Sequence, residues 1–363
     1  MRITYFTVVS FVRSRSPGTS ERTGKARHGA RRRLVAVNLP EFPVSRPRRL
    51  RRSRALRRLV AETSLAPSDL VLPLFVKEGI AEPQPVGSMP GVVQHTRDSL
   101  RKAAFDAAQA GVGGLILFGI PAVKDARGSA ADDPDGIVQL ALADLASDLG
   151  DATVLMADLC LCEYTDHGHC GIVRDDGTIE NDATLERYAS VAVAQANGGA
   201  HVVGPSGMMD GQVGAIRTAL DAAGHQDTSI LAYSTKYASA FYGPFRDAAE
   251  GAPRFGDRAS HQQDPANLDE AVREVRLDLA EGADMVMVKP AMTYLDVVRR
   301  VADEVEVPVA AYQVSGEYAM VEAAAANGWL DRDRVILEAL TSIRRAGADI
   351  VLTYWATEVA RRL

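Results

Sequence analysis

"LDEAVREVRLDLAEGADMVMVKP", residues 268–290, carries two periodicities in one stretch. Up to Ala280 the apolar residues Leu268, Ala271, Val272, Val275 and Leu279 recur at three- and four-residue spacing, which predicts an amphipathic helix. After Gly282 the chain runs Met285, Val286, Met287, Val288 without a polar interruption, the signature of a strand covered on both faces. Helix, short turn and continuously apolar strand together form the repeating unit of a parallel α/β sheet.

The unit recurs from Leu70 onward. Apolar runs stand at "LVLPLFV" (70–76), "GLILFGI" (114–120), "TVLMADLCL" (153–161), "HVVGPS" (201–206), "SILAYSTK" (229–236), "MVMVKP" (285–290), "VPVAAYQVS" (307–315) and "DIVLTYW" (349–355). Amphipathic segments such as "TRDSLRKAAFDAAQAGV" (96–112), "DATLERYASVAVAQANGGA" (182–200) and "TYLDVVRRVADEV" (293–305) lie between them. Eight such units predict an α/β fold, a closed (β/α)8 TIM barrel with an extended N-terminal arm. A doubly wound open sheet is disfavoured, because no GxGxxG turn follows the first strand.

The 363 residues, 47% hydrophobic, are enough to bury one large barrel core. The net charge of −6 conceals a division. Residues 1–60 hold 17 Lys and Arg against Glu21 and Glu41, a balance of +15; the other 303 residues hold 24 basic and 45 acidic groups, a balance of −21. Residues 1–45 read as a disordered basic extension, rich in Arg, Ser and Gly. A transit peptide shares that look; a signal peptide fits less well, since the apolar run from Ile3 ends at Arg13 without a small-residue cleavage site. Residues 46–66 read as an arm helix, in which Leu50, Leu56, Leu59 and Val60 give a basic segment an apolar stripe that suits docking on an acidic surface. Residues 67–363 are then the catalytic barrel. A nucleic-acid partner is not expected, because the acidic body repels phosphate. Nor is a membrane partner, since no apolar run reaches the 18 or so residues of a spanning helix. Three clustered cysteines do not make a secreted disulfide framework, so a reducing, cytoplasmic setting is expected.

A barrel of this kind carries its chemistry at the C-terminal ends of the strands. There the sequence places Asp158, Cys160 and Cys162 after the third strand, Ser206 after the fourth, Lys236 after the fifth, Lys289 after the sixth, Ser315 after the seventh, and Tyr354 after the eighth. A single lysine closing a strand reads as a cation reaching for solvent. Two at one mouth read differently, because burial and mutual repulsion lower an amine's pKa and a neutral amine forms a Schiff base with a ketone. Ala232 and Ser234, taken by alternation to share the face of Lys236, would leave room beside it. Alternation likewise points Asp158, Cys160 and Cys162 together into the mouth, with Cys170 returning from the glycine-bearing loop "EYTDHGHCG" (163–171). Three thiolates with an open position would make a Lewis-acidic zinc site; His167 or His169 as a fourth ligand would close it.

"DLCLCEYTDHGHCG", "YSTKYASAFYGPFRDA", "FGDRASHQ", "EGADMVMVKPAMTYLD", "YQVSGEYAM" and "RRAGADIVLTYW" together resemble the porphobilinogen synthase (5-aminolevulinate dehydratase) family in its zinc-dependent, cysteine-rich form, from about Arg46 to the C terminus. The resemblance implies condensation of two 5-aminolevulinate molecules to porphobilinogen in tetrapyrrole biosynthesis. It makes Lys289 the lysine that holds one substrate as a Schiff base and Lys236 the one that engages the other. Cys160, Cys162 and Cys170 become zinc ligands, and Asp158 an active-site carboxylate. Arg246, Arg258 and Gln262 would grip one substrate carboxylate from a lid that brings the two arginines in on closing, and Ser315 with Tyr354 would grip the other. Glu274 matches a glutamate that places an allosteric magnesium in many bacterial relatives; taken alone it reads equally as a solvated helix charge. The family assembles as a homo-octamer embraced by N-terminal arms. The sequence departs from the family's pattern at Gly207, usually Asp, at Gln212, usually Arg, and at Ala291 and Thr293, usually Gly and Pro. A single-lysine aldolase would explain Lys289 but not the thiols, and a non-enzymatic zinc module would explain the thiols but not the lysines.

Overall fold

Each of the eight apolar runs becomes a strand. In the computed structural model, which describes residues 41–363, they are β1 (Leu70–Lys77), β2 (Gly114–Ile120), β3 (Val154–Leu159), β4 (Val202–Pro205), β5 (Ser229–Lys236), β6 (Met285–Lys289), β7 (Val309–Tyr312) and β8 (Ile350–Leu352). Consecutive strands pair in parallel, and β8 returns to β1 through Leu70↔Val351 and Val71↔Leu352. The sheet therefore closes into the expected barrel. Around it lie α1 (Arg97–Gln109), α2 (Ile137–Leu149), α3 (Asn181–Asn197), α4 (Gln212–Ala222), α5 (Asp269–Glu281), α6 (Leu295–Glu304), α7 (Ser315–Ala326) and α8 (Arg332–Ala346).

The stretch 268–290 shows how the sequence builds one unit. Ala271, Val272 and Val275 bury the inner stripe of α5, and Gly282, at φ 109, ends the helix in the left-handed region that a side chain disfavours. The chain then enters β6, whose Val286, Met287 and Val288 are fully buried between helices and barrel interior.

One irregularity changes the phase of β5. Ala232 pairs with Val286 but Thr235 with Val288, so β5 carries one more residue than β6 across this step. The expectation that Ala232 and Ser234 flank Lys236 therefore fails. Tyr233 takes that side, its ring 5.8 Å from the Lys236 ammonium, and the Ser234 hydroxyl turns back to donate to the Ala232 carbonyl at 3.5 Å.

Residues 41–46 form a turn in which the Val44 and Ser45 N–H groups donate to the Glu41 carbonyl. Pro47–Leu363 is a second unit. It begins with a 3-10 turn, Pro47–Arg51, and a short helix, Arg54–Leu59, whose first turn is capped by Ser53; neither buries a residue. Apart from residues 41–45, the basic extension expected over 1–45 lies outside the described residues. Among the described residues no helix is long and apolar enough to cross a membrane.

Candidate active site

Lys236 and Lys289 end adjacent strands and are register partners, each only 5% exposed. The Lys289 ammonium nitrogen sits 4.3 Å from the centre of the Tyr312 ring, 5.1 Å from Tyr233 and from Phe245, and 5.5 Å from Tyr242. Burial in this aromatic shell, then the positive charge of Lys236, lowers its pKa to about 7. Lys236 Nζ donates to the Ser206 carbonyl at 2.5 Å.

Asp158, the penultimate residue of β3, is buried beside this pair. Its Oδ2 accepts from the Ser206 hydroxyl at 2.9 Å, while Oδ1 has no partner. Burial and the neighbouring Cys160 raise its pKa to about 6.

The three cysteines meet, though not by strand alternation. The β3 ladder ends at Leu159, opposite Pro205, its carbonyl accepting a last bond from the Ser206 N–H at 3.0 Å. Cys160 and Cys162 lie in the turn that follows, with Sγ atoms 3.4 Å apart, and Cys170 comes back from the loop; the three sulfurs lie within 4.8 Å of one another and are buried. Despite burial, hydrogen bonds from the Cys162 and Cys170 thiols and the charge of Lys236 lower the pKa of Cys160. The same sharing raises the pKa of Cys170 to about 11. Sulfurs at this spacing fit a soft tetrahedral ion, for which Zn–S is roughly 2.3 Å and three protein ligands leave one position open.

The two histidines stay outside this cluster. His167 Nε2 pairs with the Ala126 carbonyl at 3.2 Å and its Nδ1 accepts from the His169 N–H; His169 Nε2 pairs with the Phe255 carbonyl at 3.0 Å. His169 instead fastens the cysteine loop to the segment that covers the mouth.

That segment contains the helix Gly243–Ala248 and continues to Gln263. Arg258, buried, donates through Nη2 to the Gly168 and Gly251 carbonyls at 2.8 and 2.7 Å. Burial opposes its charge, but Cys170, Cys162 and Cys160 outweigh that and raise its pKa. Arg246 has its pKa lowered by burial and by Arg258, so two cations stand close together, each with an unpartnered buried Nε. Gln262 is buried with a free Nε2. Unmatched donors of this kind form a receptor for an anion.

Ser315 meets the cover and Tyr354 meets the aromatic shell. Ser315 Oγ accepts from the Phe245 N–H at 2.9 Å, which ties the cover to α7, and the Tyr354 hydroxyl meets that of Tyr312 at 3.2 Å. Glu274 stands on α5, half-buried; burial, then Asp210 and Glu270, raise its pKa, and it is not part of the thiol cluster. Gln212 is buried, its Oε1 accepting from the Met209 N–H.

Several residues of the site escape a sequence reading. Tyr233, Tyr242, Phe245 and Tyr312 converge on Lys289 from separate elements; Tyr233 and Tyr312 lie inside apolar runs, but Tyr242 and Phe245 do not. Glu163 follows Cys162 directly, is buried, accepts from its thiol at 3.3 Å, and is raised to a pKa of about 8 by burial and Cys160.

The family model for delta-aminolevulinic acid dehydratase matches residues 44–362. A Mycobacterium tuberculosis protein of that description is 66% identical over 326 residues, 89% of this chain and 99% of the relative. A Streptomyces coelicolor relative is 63% identical over 324 residues, 89% and 98% of the two chains. A solved Toxoplasma gondii delta-aminolevulinic acid dehydratase, in complex with porphobilinogen, superposes with a TM-score of 0.86 at 44% identity, covering 88% of this chain and 91% of its own.

Proposed function

The chain belongs to the delta-aminolevulinic acid dehydratase family and is a lyase of the dehydratase type, and from that premise we propose that its barrel mouth condenses two 5-aminolevulinate molecules to porphobilinogen through lysine Schiff bases, within tetrapyrrole (heme) biosynthesis. The observation that carries the reading is the buried register pair of Lys236 and Lys289. A Lys289 amine with a pKa near 7 is substantially neutral at physiological pH and able to attack a ketone carbon. Each imine formed releases one water. Both lysines return to free amines when the new C–C and C–N bonds of the pyrrole ring displace them, so two waters leave in all.

The remaining groups take the other tasks. Asp158 and Glu163, with pKa values of about 6 and 8, exchange protons near neutrality. Arg246, Arg258 and Gln262 receive one substrate carboxylate, and Ser315 and Tyr354 the other. The aromatic shell of Lys289 excludes water from the imine. Cys160, Cys162 and Cys170 would hold zinc, which supplies Lewis acidity for a substrate amine or carbonyl.

Two assembly features belong to the same reading. Leu50, Leu59 and Val60 are exposed on the basic segment that follows Arg46, an arm suited to a neighbouring subunit in a homo-octamer. Glu274, flanked by Asp210 and Glu270, would be the place of an allosteric magnesium.

The test is turnover of 5-aminolevulinate, followed by the Ehrlich colour of porphobilinogen, before and after chelation and with zinc or magnesium added back. Activity lost on chelation and restored by zinc is expected. Full activity after complete metal removal would overturn the zinc assignment.

A further inference from the structure

Helix α3 presents Thr184, Tyr188 and Gln195 along one buried face. Each reaches backbone of the cysteine loop or of the strand before it. Thr184 Oγ1 accepts from the Ile172 N–H at 2.9 Å, the Tyr188 hydroxyl donates to the Cys170 carbonyl at 2.7 Å, and Gln195 Nε2 donates to the Asp158 carbonyl at 2.8 Å. Spacings of four and seven residues align them along the helix.

The Tyr188 ring reaches Cys170 because residue 207 is glycine. A Cβ at Gly207 would stand 1.6 Å from the Tyr188 hydroxyl oxygen and 2.5 Å from the ring carbon that bears it, so any side chain there excludes the tyrosine from this position. Cys160 and Cys162 are placed by the end of β3, whereas Cys170 sits in a loop between Gly168, at φ 72, and Gly171. Its location therefore depends on tethers from outside the loop.

We propose that Tyr188 is a positioning residue for Cys170, seated by Gly207, and that the pair sets the affinity of the three thiols for their metal ion. The inference rests on the reading of those thiols as a metal site. A carbonyl bond to the ligand's own residue fixes where its sulfur points, and outer-shell partners of this kind typically change metal affinity about 10- to 100-fold.

Zinc affinity of the full-length protein, measured by competition with a chromophoric chelator, reads this directly, and sulfur-to-cobalt charge-transfer absorbance of the cobalt-loaded protein reads the thiol geometry. Tyr188→Phe keeps the ring and removes only the bond, and should weaken zinc binding about tenfold or more and shift the charge-transfer band. Affinity within twofold of wild type with an unchanged band would overturn the inference. Failure of the wild-type protein to bind zinc would instead sink the metal-site reading. Gly207→Ala should weaken binding in the wild-type background yet cost nothing further in Tyr188→Leu, where the clash is gone; an equal cost in both backgrounds would show that the two residues do not act as a pair. If Tyr188→Phe does not fold, 3-fluorotyrosine placed at position 188 supplies the measurement: its fluorine resonance should move when zinc is added, and a stationary resonance would overturn the inference.

Discussion

Lys236 and Lys289 stand side by side as register partners on β5 and β6, both nearly inaccessible to solvent. At Lys289 the repulsion from Lys236 outweighs the attraction of the nearby Asp158. The pKa of Lys289 is lowered to about 7, by burial first and by Lys236 second. The neutral amine should therefore appear as pH rises through about 7. Acylation of Lys289 by an amine-selective reagent, followed by peptide mass spectrometry, should rise with a midpoint near that pH. In Lys236→Met the lost repulsion should move the midpoint to more alkaline pH; an unmoved midpoint would show that the two amines do not interact.

Arg258 closes the site from the covering segment through two backbone carbonyls, Gly168 and Gly251. Hydrogen bonds from charged donors contribute about 1.5–3 kcal/mol each. Arg258→Ala should raise KM for 5-aminolevulinate roughly 10- to 100-fold, and its partner Arg246→Ala should act in the same direction. Steady-state kinetics with unchanged KM would remove both from carboxylate binding.

Gly168 is where the cover rests on the cysteine loop. A Cβ there would lie 2.2 Å from the Ala252 carbonyl oxygen, and the backbone stands at φ 72. The conformation alone costs a non-glycine residue about 1–2 kcal/mol. Gly168→Ala should lower the melting temperature and raise KM together, because relief of the clash lifts the cover. A lowered melting temperature with wild-type KM would mean that the contact is structural only.

Removal of one thiol should be decisive for the metal. Cys170→Ser replaces a soft ligand with a weak one and should cost at least about 100-fold in zinc affinity, beyond the range of outer-shell changes. Equilibrium dialysis with zinc reads this without any assay of turnover.

The barrel was legible because its signal is local: each apolar run such as 114–120 or 285–288 is bounded by turn residues and flanked by a helical period. The two lysines and the thiols were legible because they close such runs. What could not be read depends on contacts between distant segments. The extra residue of β5 places Tyr233 beside Lys236, and no periodicity announces it. Both cysteines lie beyond the strand, which ends at Leu159, whereas alternation had been carried through Cys162. The glycine at 207 read as a lost carboxylate, whereas in the fold it is the space occupied by a tyrosine hydroxyl from α3.

The central claim is that Lys289 carries substrate covalently. Borohydride reduction in the presence of 5-aminolevulinate, followed by peptide mapping, tests it most directly. The account predicts a reduced adduct on the peptide containing Lys289 and loss of that adduct in Lys289→Ala. Full turnover in Lys289→Ala, or reduction that leaves Lys289 unmodified, would contradict it.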